Sequence, residues 1–94
     1  MLRRDKALLV DVREPEEWHE GHFANAMLVP YKSQLASGNI PRELKDTQKK
    51  IYLHCKAGGR AALSAEILIE AGCDAVPFDE GFAELAEFEF DDVV

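Results

Sequence analysis

What most limits the fold of this 94-residue chain is a set of four short apolar runs, each followed by a stretch of helical character. ALLVDV (7–12) is apolar without two-residue alternation, as expected of a strand covered on both faces of a parallel sheet. AMLVP (26–30), KIYLHC (50–55) and DAVPF (74–78) read as three more short buried strands. EPEEWHEG (14–21) predicts a short helix: Pro15 suits its first turn, Glu16 and Glu17 complement the positive end of its dipole, and Gly21 stops it. RAALSAEILIEAG (60–72) is the clearest helix, with Leu63, Ile67 and Ala71 on one face, Leu68 beside them, Glu66 and Glu70 on the wet side, and Gly72 as the stop. A final short helix is expected over 81–88, and one or two helical turns within the polar segment 31–50. This alternation predicts an α/β fold. The sheet should be open, mostly parallel and four- to five-stranded, with helices on both faces, in one domain spanning residues 1–94.

Charge narrows the function. A formal net charge of −7 argues against a general nucleic-acid binder, which would show a basic stripe. The distribution says more. Residues 61–94 hold ten acids and no Lys or Arg, whereas 47–60 hold Lys49, Lys50, Lys56 and Arg60 and no acid, so the one locally basic segment surrounds Cys55. No apolar run approaches the roughly 18 residues of a membrane span, and MLRRDKALLVD lacks the pattern of a signal peptide. The expectation is a cytoplasmic protein without membrane contact, in which Cys55 and Cys73 are free thiols.

Cys55 ends the third strand and opens the turn Lys56-Ala57-Gly58-Gly59-Arg60. Ligands of open α/β sheets collect beyond the carboxyl ends of strands. The glycines let the chain curl, and a curl feeding a helix aims several N–H groups at one spot. The helix start adds about half a positive charge. The construction is a cradle for an anionic sulfur nucleophile, with the amides of residues 56–60 converging on it and Lys56 and Arg60 adding charge.

The motif C-x-x-G-x-R (Cys55 to Arg60) resembles the active-site loop of the rhodanese family. LLVDVREPEEWHEGH (8–22) is similar to that family's first signature, and AVPFDEGFAEL (75–85) to its C-terminal one, in collinear order over about residues 7–86. Phe23-Ala24-Asn25-Ala26 replaces the usual Ile-Pro-Gly-Ala, Glu80 replaces a glycine, and Phe82 and Leu85 stand where Trp and an aromatic are common. The resemblance implies a rhodanese-like fold and sulfur transfer, in which Cys55 takes the sulfane sulfur of a small anionic donor such as thiosulfate and holds it as a persulfide. A thiol, cyanide or a sulfur-acceptor protein would then receive it, with no metal and no organic cofactor. Cys55 and Arg60 would be catalytic. Lys56, Ala57, Gly58, Gly59 and Arg60 would bind the donor, and Asp11, Arg13 and His22 would brace the loops.

Two other readings stand beside this one. A non-catalytic rhodanese-like module would bind or regulate a partner. A cysteine phosphatase or arsenate reductase would use a similar cradle, although phosphatases place five residues between Cys and Arg and this chain has four. His54 precedes the nucleophile on a strand, so its side chain points away from that of Cys55. Cys73 reads as structural, with a resolving thiol as the alternative. His19, His22, Cys55 and Cys73 do not have zinc-site spacing. Phe78, Phe82 and Phe88 are expected in the core, and the tail EFEFDDVV reads as a solvated acidic end, with Phe88 and Phe90 able to share one face against a partner.

Overall fold

The computed structural model describes residues 7–94; the basic N-terminal residues 1–6 lie outside it. Its four strands are β1 (Ala7–Asp11), β2 (Ala26–Leu28), β3 (Lys50–His54) and β4 (Ala75–Pro77), ordered β2-β1-β3-β4 and all parallel. Parallel neighbours need crossovers. These run through α1 (Pro15–Glu20), a 3-10 turn at Leu35–Ser37 with α2 (Arg42–Asp46), and α3 (Gly59–Glu70), and α4 (Phe82–Glu87) follows β4. The fold matches the expected α/β class, with four strands among the described residues.

Alternation along the strands separates two cores. Val10, Ile51, Leu53 and Cys55 face α3, α2 and the 3-10 turn, where Leu35, Leu44, Ala61, Ala65 and Leu68 meet them. Leu9 and Tyr52 face the other way, toward Phe23, Phe78, Phe82, Leu85 and Phe90. Helices therefore cover both faces. No helix of the described residues is long and apolar enough to cross a membrane.

Two expectations need correction. The inward face of α3 is Ala61, Ser64, Ala65 and Leu68, while Leu63 and Ile69 are exposed. Apolar residues occur on both sides of this helix, and the sheet side already carries Val, Ile and Leu, so the small residues are the ones that admit close approach. At its end Gly72, at φ 93°, donates to the Ile69 carbonyl while the Cys73 N–H reaches the Leu68 carbonyl, a Schellman closure.

The tail is the second correction. It stays largely exposed, as expected, but folds back along residues 22–25. His22 and Val94 exchange backbone hydrogen bonds at 2.9 and 2.8 Å, the Ala24 N–H donates to the Asp92 carbonyl at 2.7 Å, and the Asp91 carboxylate accepts from the Asn25 backbone and side chain, both at 2.9 Å. Phe90 inserts edge-on between Phe23 and Phe78, with ring centroids 5.7 and 5.3 Å away. Phe88, read as core, is 69% exposed, so the two aromatics share no face. Phe90→Ala should lower unfolding stability by about 2 kcal/mol in urea titration, whereas Phe88→Ala should stay within about 0.5 kcal/mol of the parent.

Candidate active site

The strand order reverses between β1 and β3, which places the crevice of the sheet above their carboxyl ends. Pairing sets those ends level, with Asp11 opposite His54. The next residues of each strand, Val12-Arg13 and Cys55, emerge side by side.

Cys55 follows β3 with its side chain on the α3 face, while His54 points into the aromatic cluster of the opposite face. Beyond it the chain turns at Gly58, whose φ of 94° suits glycine, and its N–H donates to Cys55 Sγ at 3.0 Å. A Cβ on Gly58 would also stand 2.7 Å from the Asp79 carbonyl oxygen. The 79–82 turn lies against the loop from above. The Phe82 N–H donates to the Cys55 carbonyl at 2.8 Å, and a Cβ on Gly81 would run into the Lys56 carbonyl. Gly81 is thus a lock that the motif alone does not reveal.

The cradle differs from the sequence-based expectation in two ways. Among the amides of residues 56–60, only that of Gly58 makes a hydrogen bond to the sulfur. The thiol is covered, at 1% exposure, and shares the core with Ala61 and Ala65. Lys56, Ala57 and Gly59 are exposed.

Arg60 also has a partner not anticipated from the sequence. Its guanidinium forms a two-pronged pair with Glu17 of α1, Nη1–Oε1 2.7 Å and Nη2–Oε2 3.0 Å. The Arg60 hydrogen bonds hold Glu17 down to a pKa of about 2, and in return Glu17 raises that of Arg60. The locally basic segment is therefore less free than it reads. Glu17 had signalled only a helix-dipole role, and nothing local in the sequence points across the intervening residues to Arg60.

Asp11 is fully buried and takes four contacts from Arg13: its backbone N–H, two from Nε, and Nη2 at 2.7 Å. Arg13 Nη2 also donates to the Gly21 carbonyl at 2.8 Å, and its guanidinium lies 4.1 Å from the centre of the Phe82 ring. His22 stacks on Trp18, with centroids 3.5 Å apart, and its Nδ1 meets the Trp18 carbonyl at 2.9 Å. These three residues tie loops together and do not reach Cys55. Arg13, Glu17, Glu20, Lys56, Phe82 and Ala83 line a cleft of about 260 Å³ beside the loop.

His54 is completely buried and neither ring nitrogen has a hydrogen-bond partner; Nε2 stands 3.9 Å from Asp11 Oδ2. Burial pushes its pKa down to about 4, the Asp11 charge opposes that and Arg13 adds to it. Cys73 Sγ donates to the Leu44 carbonyl at 3.3 Å, and burial raises its pKa. The neighbouring Asp74 accepts from Ile51 at the start of β3. The two thiols therefore lie roughly 13 Å apart, at about 3.3 Å per residue over the four residues from Ile51 to Cys55, beyond the roughly 7 Å reach of a disulfide. This removes the resolving-thiol alternative. No group of three His, Cys, Asp or Glu among the described residues could hold a metal ion.

A sheet with this order, carrying a cysteine loop above the β1/β3 crevice, defines a class, and the comparisons agree with it. The model of the rhodanese-like domain matches residues 1–87, and this chain belongs to that family. YqhL of Bacillus subtilis is 38% identical over 71 residues, which is 76% of this chain and 53% of that protein. The probable adenylyltransferase/sulfurtransferase MoeZ of Mycobacterium tuberculosis is 36% identical over 87% of this chain but only 21% of its own length. Thiosulfate sulfurtransferase 16 of Arabidopsis thaliana is 35% identical over 71% of this chain and 62% of its own. The chain thus spans between a fifth and about three-fifths of these relatives. Among solved structures, a rhodanese-related protein of Thermoplasma volcanium superposes with a TM-score of 0.77 at 30% identity, covering 96% of this chain and 85% of that one.

Two predictions follow from the geometry. Gly81→Ala should push the 79–82 turn off the cysteine loop and cost about 3 kcal/mol, read from the urea unfolding midpoint. The buried neutral His54 binds a proton more readily once unfolded, so stability should fall as pH drops from 6.5 to about 4, by about 3 kcal/mol. His54→Phe should flatten that slope in unfolding curves taken across the window.

Proposed function

We propose that this chain is a sulfurtransferase that moves a sulfane sulfur through a persulfide on Cys55. The observation that carries the reading is the Gly58 N–H donating to Cys55 Sγ at the carboxyl end of β3, inside a C-x-x-G-x-R loop. Cys55, as thiolate, attacks the outer sulfur of a donor such as thiosulfate. The donor S–S bond breaks and sulfite leaves with the bonding pair. Negative charge then rests on the terminal persulfide sulfur, with the Gly58 N–H beside the attached Sγ as a fixed donor. An acceptor nucleophile (a thiol, cyanide, or a sulfur-acceptor protein) attacks the terminal sulfur, and Sγ departs as the regenerated thiolate. Both steps close without a metal or organic cofactor, and the covalent intermediate implies ping-pong kinetics. Lys56 and Ala57, exposed on the loop, form its outer rim; Gly59 and Arg60 start the helix behind it.

A second reading has its own support. The covered thiol and the Arg60 guanidinium already engaged by Glu17 suit a rhodanese-like module that binds a partner without transferring sulfur. Mass spectrometry separates the two. After thiosulfate treatment the protein should gain one sulfur atom on Cys55, cyanide should remove it as thiocyanate, and Cys55→Ser should do neither. Folded parent protein that takes up no sulfur would leave the binding-module reading in possession.

A further inference from the structure

The charges around the thiol are arranged unlike an anion trap. Three cations stand near the cleft, and two of them are already paired: Arg13 with Asp11 and Arg60 with Glu17. Lys56 remains, exposed on the rim, and Glu20 lies on the same rim. Glu14 also acts on Arg60, so four carboxylates face three cations. A small dianion entering this cleft meets no net positive field, and it must compete with a carboxylate for the Arg60 fork. Two parallel hydrogen bonds at 2.7 and 3.0 Å make Glu17 a strong competitor.

We propose that Glu17 is a positioning residue that sets the charge of the sulfur donor, so that the site selects donors of single or zero net charge over thiosulfate. The inference rests on the sulfur-transfer reading above and names the donor class for the same site. Thiosulfonate anions and zwitterionic persulfides of amino thiols have this character. With a thiosulfonate, the Cys55 thiolate takes the outer sulfur, the S–S bond breaks, and a sulfinate leaves with the bonding pair, so one negative charge enters with the donor and one leaves. Glu17 acts through Arg60 and touches no reacting atom. It also accepts the Glu14 N–H at 3.0 Å, a bond the amide oxygen of glutamine can keep.

The test measures thiocyanate formation from thiosulfate and from methanethiosulfonate, with cyanide as acceptor, for the parent, Glu17→Gln and Glu20→Gln. For the parent, KM for thiosulfate should exceed that for methanethiosulfonate about tenfold. Glu17→Gln should release Arg60 and raise kcat/KM for thiosulfate about tenfold, mainly through KM, with less than about a twofold change for methanethiosulfonate. Glu20→Gln removes a rim charge without freeing Arg60, so it should raise kcat/KM for thiosulfate only about twofold, well short of Glu17→Gln, which separates release of the guanidinium from a general field effect. Equal KM values in the parent, or a Glu17→Gln variant that changes both donors alike, would overturn the inference and leave sulfur transfer standing. Absence of thiocyanate from either donor in all three proteins would remove the sulfur-transfer reading, and this inference with it. The parent comparison does not depend on how well any variant folds.

Discussion

The pairing of β1 with β3 is the constraint on which the site depends. These two strands lie at the centre of the sheet, in register along their whole length, so Asp11 and His54 finish side by side. Everything chemical is then built on the residues that follow. Arg13 turns back onto Asp11, Cys55 turns into the glycine loop, and the 79–82 turn closes over both, because Phe82 donates to the Cys55 carbonyl and stacks on the Arg13 guanidinium. A one-residue slip between β1 and β3 would send His54 and Cys55 to exchanged faces. The large apolar side chains on both sides of this pair make such a slip costly.

Burial of charge beneath the loop is the less economical part of the design. Asp11 is removed from water entirely and is held by four contacts from one arginine, whereas His54 beside it has no partner for either nitrogen. Desolvation outweighs the attraction of Asp11 and keeps the imidazole neutral, so it serves as a flat aromatic between Phe23 and Phe82. Such a cluster is stable near neutrality and strained in acid.

The parts of this protein legible in sequence are those whose cause is local. Continuous apolar runs between helical segments announced a parallel sheet, and Gly72 announced the end of α3, where the Schellman closure forms. The cysteine, two glycines and arginine marked the loop because a left-handed turn there demands glycine. What stayed hidden depends on partners distant in the chain. Glu17 reads as an ordinary first-turn acid until the fold carries it to Arg60. Phe90 reads like Phe88, yet one is wedged between aromatic rings and the other is exposed, since only contact with residues 22–25 distinguishes them. The inward stripe of α3 was missed for a related reason: alanine and serine win the interface by being small, and hydrophobicity alone favours Leu63.

The chain's two thiols sit at opposite ends of β3, and this bears on oxidative damage. When an oxidant converts the Cys55 thiolate to a sulfenic acid, the usual escape is condensation with a neighbouring thiol before over-oxidation becomes irreversible. Cys73 is about a strand's length away and turned toward the Leu44 carbonyl, so no second thiol of the chain is within reach. Capture as a disulfide is therefore bimolecular, and its rate rises with whatever thiol the surroundings supply.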